Sequence, residues 1–245
     1  MVKYTINEDI KPRGIASAYV VAPFDDGKLA LAKRGYNIIS LQENAVLRMQ
    51  EGAGEDVSEN GNWVREGVVY VPEKGVYLTK NSPIMANAKK AINAHRNGQD
   101  FYLTEEQVER SLEGAVKLTN KAIPTNKFGE NEITVYAFGE DAKRYGEFLK
   151  KAKIDEMPIW LTSIQEKPFA RQMWFQGLGD FYRSGLVGNN WDLHNDDRVR
   201  GVRSGISAEG TAKILEAYTP SQIARVLKSQ GLTGIEKALI DGLRQ

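Results

Sequence analysis

The chain contains no cysteine. Disulfides, thiolate metal centres, iron–sulfur clusters and cysteine nucleophiles are excluded with it. Histidine is scarce: His95 and His194 are the two copies, so any imidazole acid–base chemistry runs through one of them. No apolar run approaches the roughly eighteen residues that a membrane-spanning helix requires. The opening M-V-K-Y-T-I-N-E-D-I carries acids early and lacks the apolar core of a signal peptide. A soluble, cytoplasmic protein with no membrane partner is the expectation. A surplus of one charge is missing as well. Lys+Arg 33 against Asp+Glu 32 leaves a net charge of +1, which excludes a protein that coats nucleic acid through overall charge and leaves only a local patch. Gly177-Leu178-Gly179 is no dinucleotide fingerprint, because Tyr182 stands where the third glycine belongs. No phosphate loop, no G-x-S-x-G elbow and no H-E-x-x-H occurs.

What is present suffices for a sizeable core. Hydrophobic residues make up 41% of 245, enough for one large domain or two small ones. Residues 15–22 are rich in β-formers, and Asp25-Asp26-Gly27 followed by the alternating 28–32 predicts a hairpin. Residues 38–50 place Ile38, Leu41, Ala45 and Met49 on one helical face. The Gly- and acid-rich 51–62 reads as an exposed loop. Two β-rich runs in 63–80 flank Pro72-Glu73-Lys74-Gly75 and predict a second hairpin.

Ser82-Pro83 opens a helix that Gly98 stops, and Thr104 with Gln107 forms a capping box. Residues 132–138 read as a strand, 140–153 as a charged amphipathic helix, and 158–164 as a central strand ending near Gln165-Glu166-Lys167. His95 falls at a helix C-terminus, where a capping or solvated role is expected. From Phe169 onward aromatics crowd together, and capped helices are predicted over 208–217, 220–230 and 234–244. The reading is α+β: a mixed sheet containing β-hairpins with packed helices. A core domain over 1–167 is followed by a mostly helical C-terminal subdomain over 168–245.

Chemistry-bearing groups concentrate in 188–205, G-N-N-W-D-L-H-N-D-D-R-V-R-G-V-R-S-G. Asp192, His194 and Asp196 alternate, so in an extended segment they share a side, with Asp197 facing away or serving as a base. That is the pattern of an acid–base or metal-assisted hydrolase centre, the metal undetermined, although the spacing matches no strict metal signature. Arg198 and Arg200 also share a face if extended, and Arg203 lies close. Guanidinium forks suit phosphates, and Trp191 could stack a base. Arg183 precedes them among aromatics. Against these readings stands a hydrated loop whose acids pair locally with its own arginines. Three functions follow from the residues. The one preferred is a nucleic-acid or phosphate-ligand binding protein using Arg183, Trp191, Arg198, Arg200 and Arg203. The others are a hydrolase centred on Asp192, His194, Asp196 and Asp197, and a structural or assembly protein of a homo-oligomer or viral particle.

Overall fold

The stretch Asn62–Val71 is buried over nearly its whole length, and its side chains divide with the period of two that a strand imposes. Val64, Val68 and Tyr70 enter one apolar core; Trp63, Val69 and Val71 enter another. A strand covered on both faces must lie inside a sheet with a layer on each side. The computed structural model, which describes residues 3–9, 15–179, 183–189 and 193–203, has this arrangement. The fold is α+β, as the sequence predicts.

In chain order, β1 (Asn7–Asp9) and β2 (Ser17–Ala22) lead into α1 (Phe24–Ala32). Next come β3 (Asn37–Ile38), α2 (Leu41–Glu51) and the single turn α3 (Asp56–Glu59). The expected hairpin follows as β4 (Asn62–Val71) and β5 (Gly75–Thr79). The middle of the chain holds α4 (Pro83–Arg96), β6 (Phe101–Tyr102), α5 (Glu105–Leu112), β7 (Val116–Leu118) and β8 (Ile123–Pro124). Then come α6 (Glu132–Phe138), α7 (Ala142–Lys151), β9 (Glu156–Met157) and β10 (Ile159–Trp160). The last described strands are β11 (Phe169–Phe175), β12 (Leu186–Val187) and β13 (Asp197–Val202).

The main sheet runs β1-β2-β13-β4-β11-β12-β10, with β5 on β4, β7 on β5, β3 on β13 and β6 on β11. One core lies between the sheet and α2, α6 and α7, the other between the sheet and α1, α4 and α5. Two capping boxes, Ser40 with Glu43 and Thr104 with Gln107, start α2 and α5; each such cap stabilises its helix by about 1 kcal/mol.

Several expectations are corrected. Asp25-Asp26-Gly27 makes no hairpin turn but lies in the first turns of α1. Gly27 is there for close packing: a Cβ would come within 2.6 Å of Val199 Cγ2 on the sheet below. Residues 132–138 form a helix, not a strand. Asn131 Oδ1 accepts from the Ile133 and Thr134 amides, and Gly139 at φ 60° ends the helix, so the caps overrule the β-branched composition. Only Ile159–Trp160 of the expected strand 158–164 is in the sheet. His95 is buried rather than solvated.

The predicted boundary at 167/168 precedes three strands of the main sheet, and the first compact unit runs Met1–Ser204. Phe169–Phe175 hides its strand character because both faces are buried, so no polar alternation shows. Its polar members are held internally. Gln172 donates to Val64 O (2.5 Å) and Glu66 O (2.9 Å), and Arg171 pairs with Asp100 at 2.5 Å. The helices expected over 208–244 lie outside the described residues.

Glu66 is a buried carboxyl on β4, 2% exposed, accepting from the Leu41 amide at the start of α2. Burial pushes its pKa up from the ordinary 4.5 to about 7. The folded state therefore holds this proton more tightly than the unfolded chain. The stabilisation is complete below pH 4.5 and is lost as pH rises through about 7. Thermal unfolding of the wild type and of Glu66→Gln should diverge over that window, the variant lacking this component of the decline. Parallel profiles would contradict the assignment. Separately, Gly27→Ala should lower stability by about 1–3 kcal/mol through overpacking against Val199, measured by urea unfolding. Gly54→Ala, with nothing within 4 Å, serves as the neutral control.

Candidate functional site

The arginine strand is built by β13. It pairs antiparallel with β2, Arg198 opposite Val21 and Arg200 opposite Tyr19, and touches β4 in parallel at Val199 and Trp63. Val199 enters the core shared with α1. Arg198 and Arg200, two apart, share the other face, as the period of two predicts. Both lie over the Tyr19 ring, at 4.0 and 5.1 Å from its centroid. Both converge on Asp56, the first residue of α3. Arg198 Nη1 donates to each Asp56 oxygen at 2.6 Å, and Arg200 donates through Nη2 to Oδ1 and through Nη1 to Ser17 Oγ at 3.2 Å. Arg200 is 1% exposed. Burial pulls its guanidinium below the ordinary arginine range, and Asp56 opposes that. A buried cation survives only with such a partner.

The remaining arginines are engaged too. Arg203 lies 4.3 Å over Tyr36, donates to Arg34 O and stands 3.6 Å from Glu8. Arg183 is 3.6 Å from Glu156 and is not part of the β13 group. Arg183 and Ser184 both take positive φ, 45° and 58°, a conformation that costs free energy for residues with side chains. A buried network holds the turn. Arg48 Nη1 donates to Tyr145 Oη (3.1 Å) and Ser184 Oγ (3.2 Å), the two hydroxyls are 2.6 Å apart, and the Arg48 guanidinium lies 4.1 Å over Phe175.

The acids distribute differently from the extended pattern. Residues 193–195 turn rather than extend, so alternation does not place His194 and Asp196 together. Leu193 is buried and its carbonyl accepts from the Phe24 amide at 2.9 Å, which pins this turn to the start of α1. His194 is half-buried; Asp196 is exposed; Asp197 begins β13. Asp192 and Trp191 lie outside the described residues. Among the described residues no group of three His, Asp or Glu side chains is placed to hold a metal ion, and no helix is long and apolar enough to cross a membrane.

The geometry does create a pocket of about 350 Å³ beside the arginine strand. Its wall is Val21, Gly61, Trp174 and Gly177, and its polar groups are Glu59, Asn60, Gln176, Asp196, Asp197 and Arg198. Close glycine contacts shape it. A Cβ on Gly61 would fall 2.6 Å from Trp174 Nε1, and one on Gly177 2.1 Å from Glu59 O. The Leu178 amide donates to Ser58 O at 2.7 Å, tying the chain after β11 to α3. Trp174 stands edge-on against Trp63, ring centroids 5.1 Å apart. Among the described residues, three carboxylates, Glu59, Asp196 and Asp197, share the pocket with one cation, Arg198, which Asp56 already holds. Gln176 adds a buried Oε1 without a hydrogen-bond partner among the described residues.

Sequence reasoning brings Asp196, Asp197 and Arg198 to this place but misses Glu59, Trp174 and Gln176. Glu59 lies more than a hundred residues before Asp196, and Trp174 and Gln176 come from β11 and the residue after it, a strand separated from β13 by β4. Glu59 stands in the stretch that reads as an acid-rich loop, and Trp174 among the aromatics that crowd from Phe169 onward.

No family model matches the sequence, and no curated protein matches it. Among solved structures, the chain is similar to one described under "Accommodation of massive sequence variation in Nanoarchaeota by the C-type lectin fold". The two share 18% identity at a TM-score of 0.58, over 80% of this chain and the whole of that one. The likeness is one of fold: the α+β architecture has a C-type-lectin-like neighbour.

Removing Asp56 tests the arginine anchor. Asp56→Ala strands Arg200 without its carboxylate and should destabilise the protein by about 3–5 kcal/mol. Adding Arg200→Met in the same chain should return much of that loss, measured by chemical denaturation as a double-mutant cycle.

Proposed function

We propose that this chain is a recognition module that takes a cationic group, an amine or a guanidinium, in the pocket between Trp174 and the Asp196–Asp197 turn. The observation that carries this reading is the pocket's inventory. It presents carboxylates and an amide oxygen around an aromatic wall, and its one cation among the described residues, Arg198, is paired with Asp56. Such a lining accepts hydrogen bonds and repels anions, and an indole supports a neighbouring cation through its π face. The C-type lectin fold is one in which massive sequence variation is accommodated in Nanoarchaeota. A scaffold that tolerates variation suits a binding protein whose loops carry specificity.

The anion-binding reading has less support at this place. Arg198, Arg200 and Arg203 each have a carboxylate within the chain, and an outside phosphate reaches Arg200 only by displacing Asp56. The hydrolase reading rests on His194, Asp196 and Asp197 alone among the described residues, with His194 absent from the pocket wall.

A labelled tetra-arginine peptide is the direct probe. Binding should saturate and weaken with salt, as expected for charges at the rim. The exposed pair Glu59→Lys with Asp196→Lys should reduce affinity at least about tenfold, or 1.4 kcal/mol. Absence of binding, or equal affinity in the variant, would remove the proposal.

A further inference from the structure

A cluster of cations without an ion pair among the described residues lies around α1. The outer face of this helix carries Asp26, Leu29, Ala30 and Lys33, spaced as one helical stripe. On one side of the stripe a groove of about 610 Å³ runs against the lead-in to β1, with Tyr4 and Ile6 on its far wall. On the other side a groove of about 310 Å³ runs against α4, with Ile92 and Asn93 on its far wall. Asp26 and Leu29 line both, so Leu29, 49% exposed, is the ridge between them.

Charge is arranged around that ridge. Lys3, Lys33 and Arg34 stand in the larger groove, Lys89 and Arg96 in the smaller. All five are exposed, and none forms an ion pair among the described residues. The two acids here are already engaged: Asp26 accepts from the Tyr4 hydroxyl at 2.7 Å, and Asp25 lies 3.4 Å from Lys28. The contrast with β13 is direct, since every arginine placed there has its carboxylate.

We infer that the double groove over α1 docks an acidic peptide segment of a partner protein, with one apolar side chain seated on Leu29 and Ala30 and carboxylates reaching Lys33 and Arg34 on one flank and Lys89 and Arg96 on the other. Charge complementarity sets the sign of the partner, and the exposed leucine sets its apolar anchor. A peptide fits better than a nucleic acid. Cations stand at the ends while the centre holds Leu29, Ala30 and two aspartates. That order matches acids flanking an apolar residue, whereas a phosphate chain would carry negative charge directly across Asp25 and Asp26.

The test uses the full chain and a fluorescein-labelled peptide with Leu-Phe at its centre and three glutamates on each side, read by anisotropy. Saturable binding is expected. It should weaken at least about tenfold in Leu29→Glu and in Lys33→Glu with Arg34→Glu. These residues are exposed, so both variants should keep the wild-type circular dichroism and unfolding midpoint. A peptide with Leu-Phe replaced by Gly-Ser should bind at least about tenfold more weakly. Four results overturn the inference: no binding of the Leu-Phe peptide, equal binding of the Gly-Ser peptide, unchanged affinity in a folded Leu29→Glu variant, or tighter binding of a labelled oligothymidylate.

Discussion

Arg200 lies within the sheet with almost no access to water, and the carboxylate of Asp56 is what makes that position tenable. The pair is separated by most of the chain, so it ties the α2–α3 corner to the last described strand. Tyr19 on β2 completes the arrangement by lying beneath both β13 guanidinium groups. A desolvated cation without a counter-charge would cost several kcal/mol, more than a typical apolar side chain returns on burial. The position of α3 is therefore set by electrostatics as much as by Val57, its buried apolar residue. The pocket inherits that position, since Glu59 and Asn60 follow directly from α3.

What the sequence made legible was local. The Thr104–Gln107 capping box, the β4–β5 hairpin and the start of α4 at Ser82-Pro83 each depend on residues within a few positions, and each is found where expected. What it concealed was set by tertiary context. Gly27 looks like a turn residue but fills the one helical position that cannot carry a Cβ above Val199. Phe169–Phe175 looks helical because burial on both faces erases its alternation. The sharing of a face by Arg198 and Arg200 was readable from spacing alone. Their partner was not, because Asp56 is one acid among several in an acid-rich stretch, and nothing local distinguishes it.

The two surfaces of interest differ in how charge is compensated. Around β13 the arginines are paired with carboxylates, and Glu59 and Asp196 stand exposed at the Trp174 pocket. Around α1 the acids are closed internally and the lysines and arginines face outward. A net charge near zero thus hides two patches of opposite sign on one compact unit. Composition could report only the sum.

The place of β13 in the sheet has a further consequence for the timing of folding. The strand enters between β2 and β4, so the sheet's middle is filled by nearly the last described residues. While the chain is being synthesised, β2 and β4 have no shared neighbour, and α1 has no Val199 to pack on. Until residues 197–202 emerge, the facing edges of β2 and β4 stay unpaired, and long-range pairing of this kind slows folding.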